Sequence, residues 1–323
     1  MLPILVDCDP GHDDAIAIMS LLAYPEKYRL LGITTVAGNQ TLEKVTNNIL
    51  ALLDHLGISI PVAAGCAQPL RQVHEPQPAA HGESGMDGPV LAPPRSRAVD
   101  KHAAAFLAKC LQDSEEPCTI LALAPLTNLA VLLQQYPECR ERIGRIVLMG
   151  GSLTSGNILP KAEFNIYQDP DAAAAVFSSG IPLDMCGLEI CEAAFIGHEE
   201  YRSLRGHGPA ADVVCDLLDF FCRFGRERGL HSSPVFDLTA AIYLMHPEIF
   251  TTTRCHIDIE TEGTYCRGMT VADTRTFRET GNENVQVPVT VDQAAYLRIF
   301  LNSILRLDDL LRAKGGQADE SAK

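Results

Sequence analysis

Short apolar runs alternate with longer amphipathic stretches over the first two-thirds of the chain. Ile4-Leu5-Val6 has the form of a buried strand, and Ala15 to Leu22 that of an apolar helix. The same alternation predicts strands at Arg29–Val36, Pro61–Ala64, Cys118–Ala124, Arg145–Met149 and Pro182–Cys186. Between them it predicts helices at Thr41–Leu56, near Val99–Gln112, at Leu126–Gln134 and at Pro170–Ser178. Strands separated by helices form βαβ units, so the expected fold is α/β: a single open domain with a mainly parallel central sheet flanked by helices. Ligands of such sheets gather at the carboxyl ends of the strands. Asp9, Asn39, Thr127 and Gly150 each lie just past a predicted strand end, so one crevice can collect all four.

Two regions break the pattern. Gln68 to Arg97 is a long segment rich in proline, glycine and histidine, and loops of that length in compact domains are functional lids or disordered segments. From Asp212 to Met245 the pattern is largely helical, interrupted at Gly229–Pro234. Strands are predicted near Arg254–Glu260, Tyr265–Val271 and Val285–Val291, followed by an amphipathic helix from Gln293 to about Leu311. No repeat or linker calls for a second domain, so residues 1–312 are expected to fold together and 313–323 to form a disordered polar tail.

Composition narrows the partners. The 323 residues are 46% hydrophobic and 21% charged, the balance of a chain with a large core. A net charge of −15 with no basic block argues against nucleic acid and anionic membranes as partners, and leaves metal cations and small polar ligands. The start of the chain has no basic segment leading into an apolar signal region, and the longest apolar stretch, Thr119 to Leu133, is interrupted by polar residues and too short to span a bilayer. Eleven scattered cysteines without a CxxC pair suggest reduced thiols, so a cytoplasmic protein is expected.

The richest chemistry lies in the first turn, Asp7-Cys8-Asp9-Pro10-Gly11-His12-Asp13-Asp14, where four aspartates fall within eight residues between a strand and a helix. Carboxylates so close resist joint ionisation, and a bound hard cation offsets the repulsion. Oxygen donors without a thiolate or imidazole pair favour Ca²⁺ or Mg²⁺ over Zn²⁺. The plainer alternative is a solvated acidic turn in which Asp13 and Asp14 favour the positive end of a helix. Other polar groups sit at tight turns: Asn39, Thr127 and Asn128, Gly150-Gly151, Asn157, Glu163, Asn165 and Asp237. Each alone reads as a cap or turn former. Together they describe a crevice of carboxylates and amides suited to a hard metal and a polyhydroxyl ligand.

These segments, in order, resemble the inosine–uridine-preferring nucleoside hydrolases. The run Asp7 to Ala15, DCDPGHDDA, matches that family's DxDPGxDDA motif. The stretches 36–48, His81 to Met86, Pro125 to Ala130, Leu148 to Ser152 and Gly156 to Ala173 also match, and the likeness extends to about Leu311. The resemblance implies a Rossmann-like nucleoside hydrolase fold and hydrolysis of the N-glycosidic bond of ribonucleosides to ribose and base. It implies Ca²⁺ as cofactor, a small-molecule ribonucleoside as partner, and assembly as a homodimer or homotetramer. By the same resemblance Asp9 is the general base and a metal ligand. Asp14 and Asp237 are further carboxylate ligands, and Thr127 contributes a backbone carbonyl. Asp13, Asn39, Asn157, Glu163 and Asn165 contact the ribose, Met149 lines the sugar site, and His81 lies in a loop closing over the nucleoside. Asp7 is expected to support the metal shell.

One position departs from the pattern. Many members carry a histidine immediately before the last metal-binding aspartate, where it protonates the leaving base, whereas this chain has Phe236. General-acid assistance is worth about 10²–10⁴-fold, so the change matters. Three readings follow: His231, His81 or Arg223 reaches the base instead; Phe236 stacks on a base that needs little protonation; or the protein mainly binds ribosides and turns them over weakly. A haloacid-dehalogenase-like Mg²⁺ phosphatase also places two aspartates after its first strand, but its DxDGT pattern is absent. Dinucleotide binding is disfavoured because no GxGxxG follows the first strand.

Overall fold

The computed structural model describes residues 1–227, 229, 231–275 and 283–321. In chain order the first half contains β1 (Leu2–Cys8), α1 (His12–Leu22), β2 (Tyr28–Thr35), α2 (Leu42–Leu56), β3 (Val62–Ala64), α3 (Pro78–His81), α4 (Ala103–Asp113), β4 (Cys118–Ala122), α5 (Thr127–Gln135), β5 (Ile143–Met149) and α6 (Phe164–Gln168). Then follow α7 (Pro170–Phe177), β6 (Leu183–Cys186), α8 (Leu188–Ala193), β7 (Phe195–Gly197), α9 (Pro209–Phe221), α10 (Arg223–Glu227), β8 (Ser232–Pro234), α11 (Phe236–Met245), β9 (Phe250–Ile259), β10 (Thr270–Asp273), β11 (Val285–Val291) and α12 (Gln293–Ser321).

Among the described residues, nine strands form one sheet in the order β10-β9-β11-β6-β5-β4-β1-β2-β3. The run from β3 to β11 is parallel, and β9 and β10 add antiparallel strands at one edge. Pro3 to Cys8 of the central strand are all buried, as a parallel strand covered on both faces requires. Its alternate residues divide between two cores: Ile4, Val6 and Cys8 pack with α1, α11 and α12, while Leu5 packs with α4 and α5 on the other face. The chain leaves β1 toward β2 and β3, then returns to β4 on the other side of β1. That reversal opens a crevice at the carboxyl ends of β1 and β4.

Helix α1 is buried along its length from His12 to Leu21, which explains why its sequence is apolar all round. Helix α9 is held from a distance. The buried Asp308 carboxylate on α12 accepts hydrogen bonds from the N–H groups of Ala210 (2.8 Å) and Ala211 (3.0 Å), the first turn of α9. An acceptor on another helix thereby does the work of a local N-cap.

Three expectations need correction. The strand expected at Tyr265–Val271 is confined to Thr270–Asp273; residues 263–268 form a turn, with Gly268 at φ +85° and Tyr265 exposed. The helical reading of 212–245 misses β8, which pairs with β7 in a two-stranded sheet of three-residue strands too short to carry a period. Helix α12 continues to Ser321, beyond the end expected near Leu311. The expected disordered tail falls largely on residues whose side chains, and at 322–323 whose backbone, lie outside the description.

Removing the distant cap tests this packing. Asp308→Ala is expected to lower stability by about 1–2 kcal/mol, the usual worth of an N-cap, measured by urea unfolding. An unchanged midpoint would show that α9 does not depend on α12.

Candidate active site

The turn after β1 directs its carboxylates inward by hydrogen bonding to its own backbone. Asp14 folds back, its carboxylate accepting the N–H groups of Asp9 (3.1 Å) and Gly11 (2.9 Å). Asp9 accepts the backbone N–H of Asn39 at 2.6 Å, and the Asn39 amide donates to the Asp9 carbonyl at 3.2 Å. The approach is close enough that a Cβ at residue 38 would stand 1.9 Å from an Asp9 oxygen, so only glycine fits there. Asp237 arrives from the first turn of α11.

Asp13, Asp14 and Asp237 bring carboxylate oxygens within 4.8 Å of one another, and all three residues are buried. Oxygens that share a hard cation at 2.3–2.6 Å stand up to about 5 Å apart, so this spacing fits such an ion. Asp9 Oδ1 and Asp13 Oδ1 are buried without a hydrogen-bond partner. Burial, then mutual repulsion, raises the carboxyl pKa values of Asp14, to about 7, and of Asp9 and Asp237, well above the normal range; burial raises that of Asp13. Orphaned oxygens, mutual repulsion and an all-oxygen donor set together fit a hard divalent cation.

Three of these aspartates border a cleft of about 220 Å³. Asp9, Asp13 and Asp237 line it with Asn39, Gln77, His81, Leu123, Met149, Asn157, Ile158, Glu163, Phe164, Asn165, Phe221 and Phe236. Asp14 lies beneath this surface. Glu163 caps α6, accepting the N–H groups of Asn165 (2.9 Å) and Ile166 (3.2 Å) and, across the cleft floor, of Gly151 (2.8 Å). Burial outweighs those three bonds and pushes its carboxyl up to about 7. The Asn165 amide donates to the carbonyls of Leu123 and Met149, both at 3.2 Å, which fixes it at the ends of β4 and β5.

The lid segment is fastened at its root and tip. His74 donates to the Gly38 carbonyl (2.7 Å), Gln77 N–H to the Asn39 carbonyl (3.0 Å), and the Asn48 amide to the Ser84 carbonyl (2.9 Å). His81 meets His12 at 3.3 Å between their Nδ1 atoms, while His12 Nε2 lies 2.7 Å from the Asp87 carbonyl. A carbonyl only accepts, so His12 carries its proton on Nε2 and accepts from His81 Nδ1. Burial holds both imidazoles down to about 4, hence neutral. The His12 ring stacks on Phe220 at 5.0 Å and contacts Phe221 at 5.6 Å, joining the lid to α9.

The expected site residues therefore sort into groups. Asp9, Asp13, Asn39, His81, Met149, Asn157, Glu163, Asn165, Phe236 and Asp237 share the cleft wall. The carboxylate cluster groups Asp13, expected at the ribose, with Asp14 and Asp237, whereas Asp9, expected as a ligand, is not part of it. Thr127 is buried below; its hydroxyl donates to Asp169 at 2.8 Å, and Asp169 also accepts Leu70 N–H at the root of the lid. Asp7 is buried and not among the cleft-lining residues; its Oδ1 accepts from Thr34 (2.5 Å) and Asn128 (2.8 Å), and its Oδ2 has no hydrogen-bond partner. Two of the three candidate proton donors are not on the wall. His231 is exposed near β8, and the Arg223 guanidinium lies 3.7 Å over the Phe220 ring while donating to the Ala79 carbonyl. The sequence reading missed His12, Gln77, Leu123, Ile158 and Phe221. Of these only His12, inside the acidic turn, carried a local signal.

Residues 4–298 match the family model described as inosine-uridine preferring nucleoside hydrolase. The pyrimidine-specific ribonucleoside hydrolase RihA of Escherichia coli O1:K1 is 44% identical over 308 residues, covering 94% of this chain and 98% of the relative. Among solved structures, the purine-preferring ribonucleoside hydrolase from Gardnerella vaginalis superposes with a TM-score of 0.88 at 30% identity, covering 95% of this chain and 99% of that one. A plant nucleoside hydrolase gives 0.86 at 27% identity, covering 94% and 99%. The match spans the acidic turn that had admitted a phosphatase, and that alternative is set aside.

The raised carboxyl pKa values carry a pH prediction. A carboxyl raised from its ordinary value near 4 to about 7 is stabilised by its proton below pH 4, and that contribution is lost as pH rises through 7. A divalent cation replaces the lost protons. The gain in melting temperature from added Ca²⁺ over chelator is therefore expected to be small at pH 5 and to grow toward pH 8. A gain independent of pH would separate the ion from these aspartates.

Proposed function

This chain belongs to the inosine-uridine preferring nucleoside hydrolase family and is a ribonucleoside hydrolase; we propose that it cleaves the N-glycosidic bond in a Ca²⁺-dependent reaction with Asp9 as general base. The observation that carries this reading is the placement of Asp9, with one buried oxygen unpartnered, on the wall of a cleft it shares with Asn39, Asn157, Glu163 and Asn165. Asp9, Asp14 and Asp237, with the Thr127 carbonyl, would hold the ion. When bound, Ca²⁺ supplies positive charge that keeps the clustered carboxylates ionised, and oxygen coordination for sugar hydroxyls.

The rest of the chemistry belongs to the chain. Asp9 takes a proton from the attacking water, its second oxygen held by Asn39 N–H so that the carboxylate keeps its aim. Asp13, Asn39, Asn157, Glu163 and Asn165 bind ribose hydroxyls, and Met149 packs under the ring. Glycosidic cleavage builds positive charge on the sugar, which the surrounding anions stabilise. His81 closes the lid side over the substrate. Such an enzyme serves nucleoside salvage, and the eleven free cysteines suit the reducing cytoplasm. No helix among the described residues is long and apolar enough to cross a membrane.

Ribose release from uridine and inosine tests the reading. Asp9→Asn is expected to lower kcat by about 10²–10⁴-fold, and chelator to abolish turnover until Ca²⁺ is restored. Turnover untouched by both would overturn the mechanism.

A homodimer or homotetramer is proposed as well. It is supported by exposed apolar side chains toward the antiparallel end of the sheet, Val271 on β10, Tyr265 in the turn before it and Val289 on β11, with β10 the edge strand among the described residues. Light scattering at micromolar concentration is expected to give a multiple of 35.0 kDa; a monomer would refute the assembly.

A further inference from the structure

The cleft wall combines apolar rings with carboxyls. Phe221, Phe236, Phe164 and Ile158 supply its aromatic and apolar part, and Gln77 contributes a neutral amide. Among the described lining residues there is no lysine or arginine, whereas Asp9, Asp13, Glu163 and Asp237 bring four carboxyls. His81 is the imidazole on this wall. Its Nδ1 is committed to His12, and its burial, with a pKa near 4, opposes carrying a proton to a leaving group at neutral pH. Phe236, next to Asp237 in sequence, places an aromatic ring on this wall. A wall with carboxyls and aromatic rings but no lysine or arginine among its described lining residues favours a ligand that is itself cationic.

We propose that the preferred substrates are ribosides whose base is a positively charged N-ribosylated heteroaromatic ring. The proposal rests on the hydrolase reading above and specifies its substrate class. In such a substrate the electron pair of the breaking C1′–N bond flows into the ring and neutralises the nitrogen, so the base departs neutral without taking a proton. Water forms the new C1′–O bond and gives its proton to Asp9 and then to solvent. Cationic riboside and water thus become ribose, neutral base and a proton. A neutral nucleoside must instead protonate its base, for which this wall offers no charged side chain.

Nicotinamide riboside, uridine and inosine, compared by ribose release, provide the test. Nicotinamide riboside is expected to have the largest kcat/KM, by at least about tenfold. Phe236→His is expected to cut the ratio of nicotinamide riboside to uridine by at least about tenfold, because it adds an acid that only the neutral substrate needs. Phe236→Leu, which removes the ring but keeps an apolar side chain, should lower kcat/KM for nicotinamide riboside by about twofold to thirtyfold, the range of a cation–π contact. Faster cleavage of uridine or inosine, or ratios unmoved by both substitutions, would overturn the substrate class and leave the hydrolase reading intact. Ribose release from none of the three would overturn both.

Discussion

The repulsion among Asp9, Asp13, Asp14 and Asp237 is the constraint on which the rest of the structure depends. Four carboxyls share a buried site, and two of their oxygens have no hydrogen-bond partner. Like charges at this separation and burial cannot all ionise unaided. The fold answers in part with backbone N–H groups, given by Asp9 and Gly11 to Asp14 and by Asn39 to Asp9. The remainder is what a hard cation would balance. A turn that is costly without an ion is therefore also a turn that selects one.

The sheet makes the turn useful. Because the chain reverses direction around β1, the ends of β1, β4 and β5 face a common crevice, and residues more than two hundred positions apart meet there. Many polar groups in the cleft have a structural task as well. Glu163 caps α6, Asn157 accepts the Phe164 N–H at 2.9 Å, and Asn165 ties β4 to β5. These bonds restrict side-chain motion, so these cleft groups are held in place before a ligand arrives. The lid is bound into the same scheme through His81, His12 and the rings of α9.

The cleft wall draws on two kinds of residue. Asp9, Asn39, Asn157, Glu163 and Asn165 lie within the stretch that matches the family. Relatives are named both for pyrimidine and for purine ribonucleosides. The phenylalanines of this wall come from α6, α9 and α11, elements that reach the cleft separately. Phe236 is followed directly by Asp237 of the carboxylate cluster.

The parallel sheet, the acidic turn and several residues of the cleft wall were legible in the sequence because each rests on local pattern. Apolar runs mark buried strands, strand-to-helix turns carry Asp9 and Asn39, and a carboxylate cluster within eight residues needs no tertiary contact to be noticed. Family motifs extended that reading to Asp237, Glu163 and Asn165. The tertiary structure alone decided which further groups line the cleft. Phe221, Ile158 and Gln77 sit in segments with no period or motif that distinguishes wall from core, and His231 and Arg223 sit near the site in sequence yet off its wall. The pairing of His12 with His81 likewise depends on a lid crossing 69 residues of chain. Short-range patterns record the backbone's local choices; the composition of a cavity depends on how distant elements dock, which no single stretch of sequence contains.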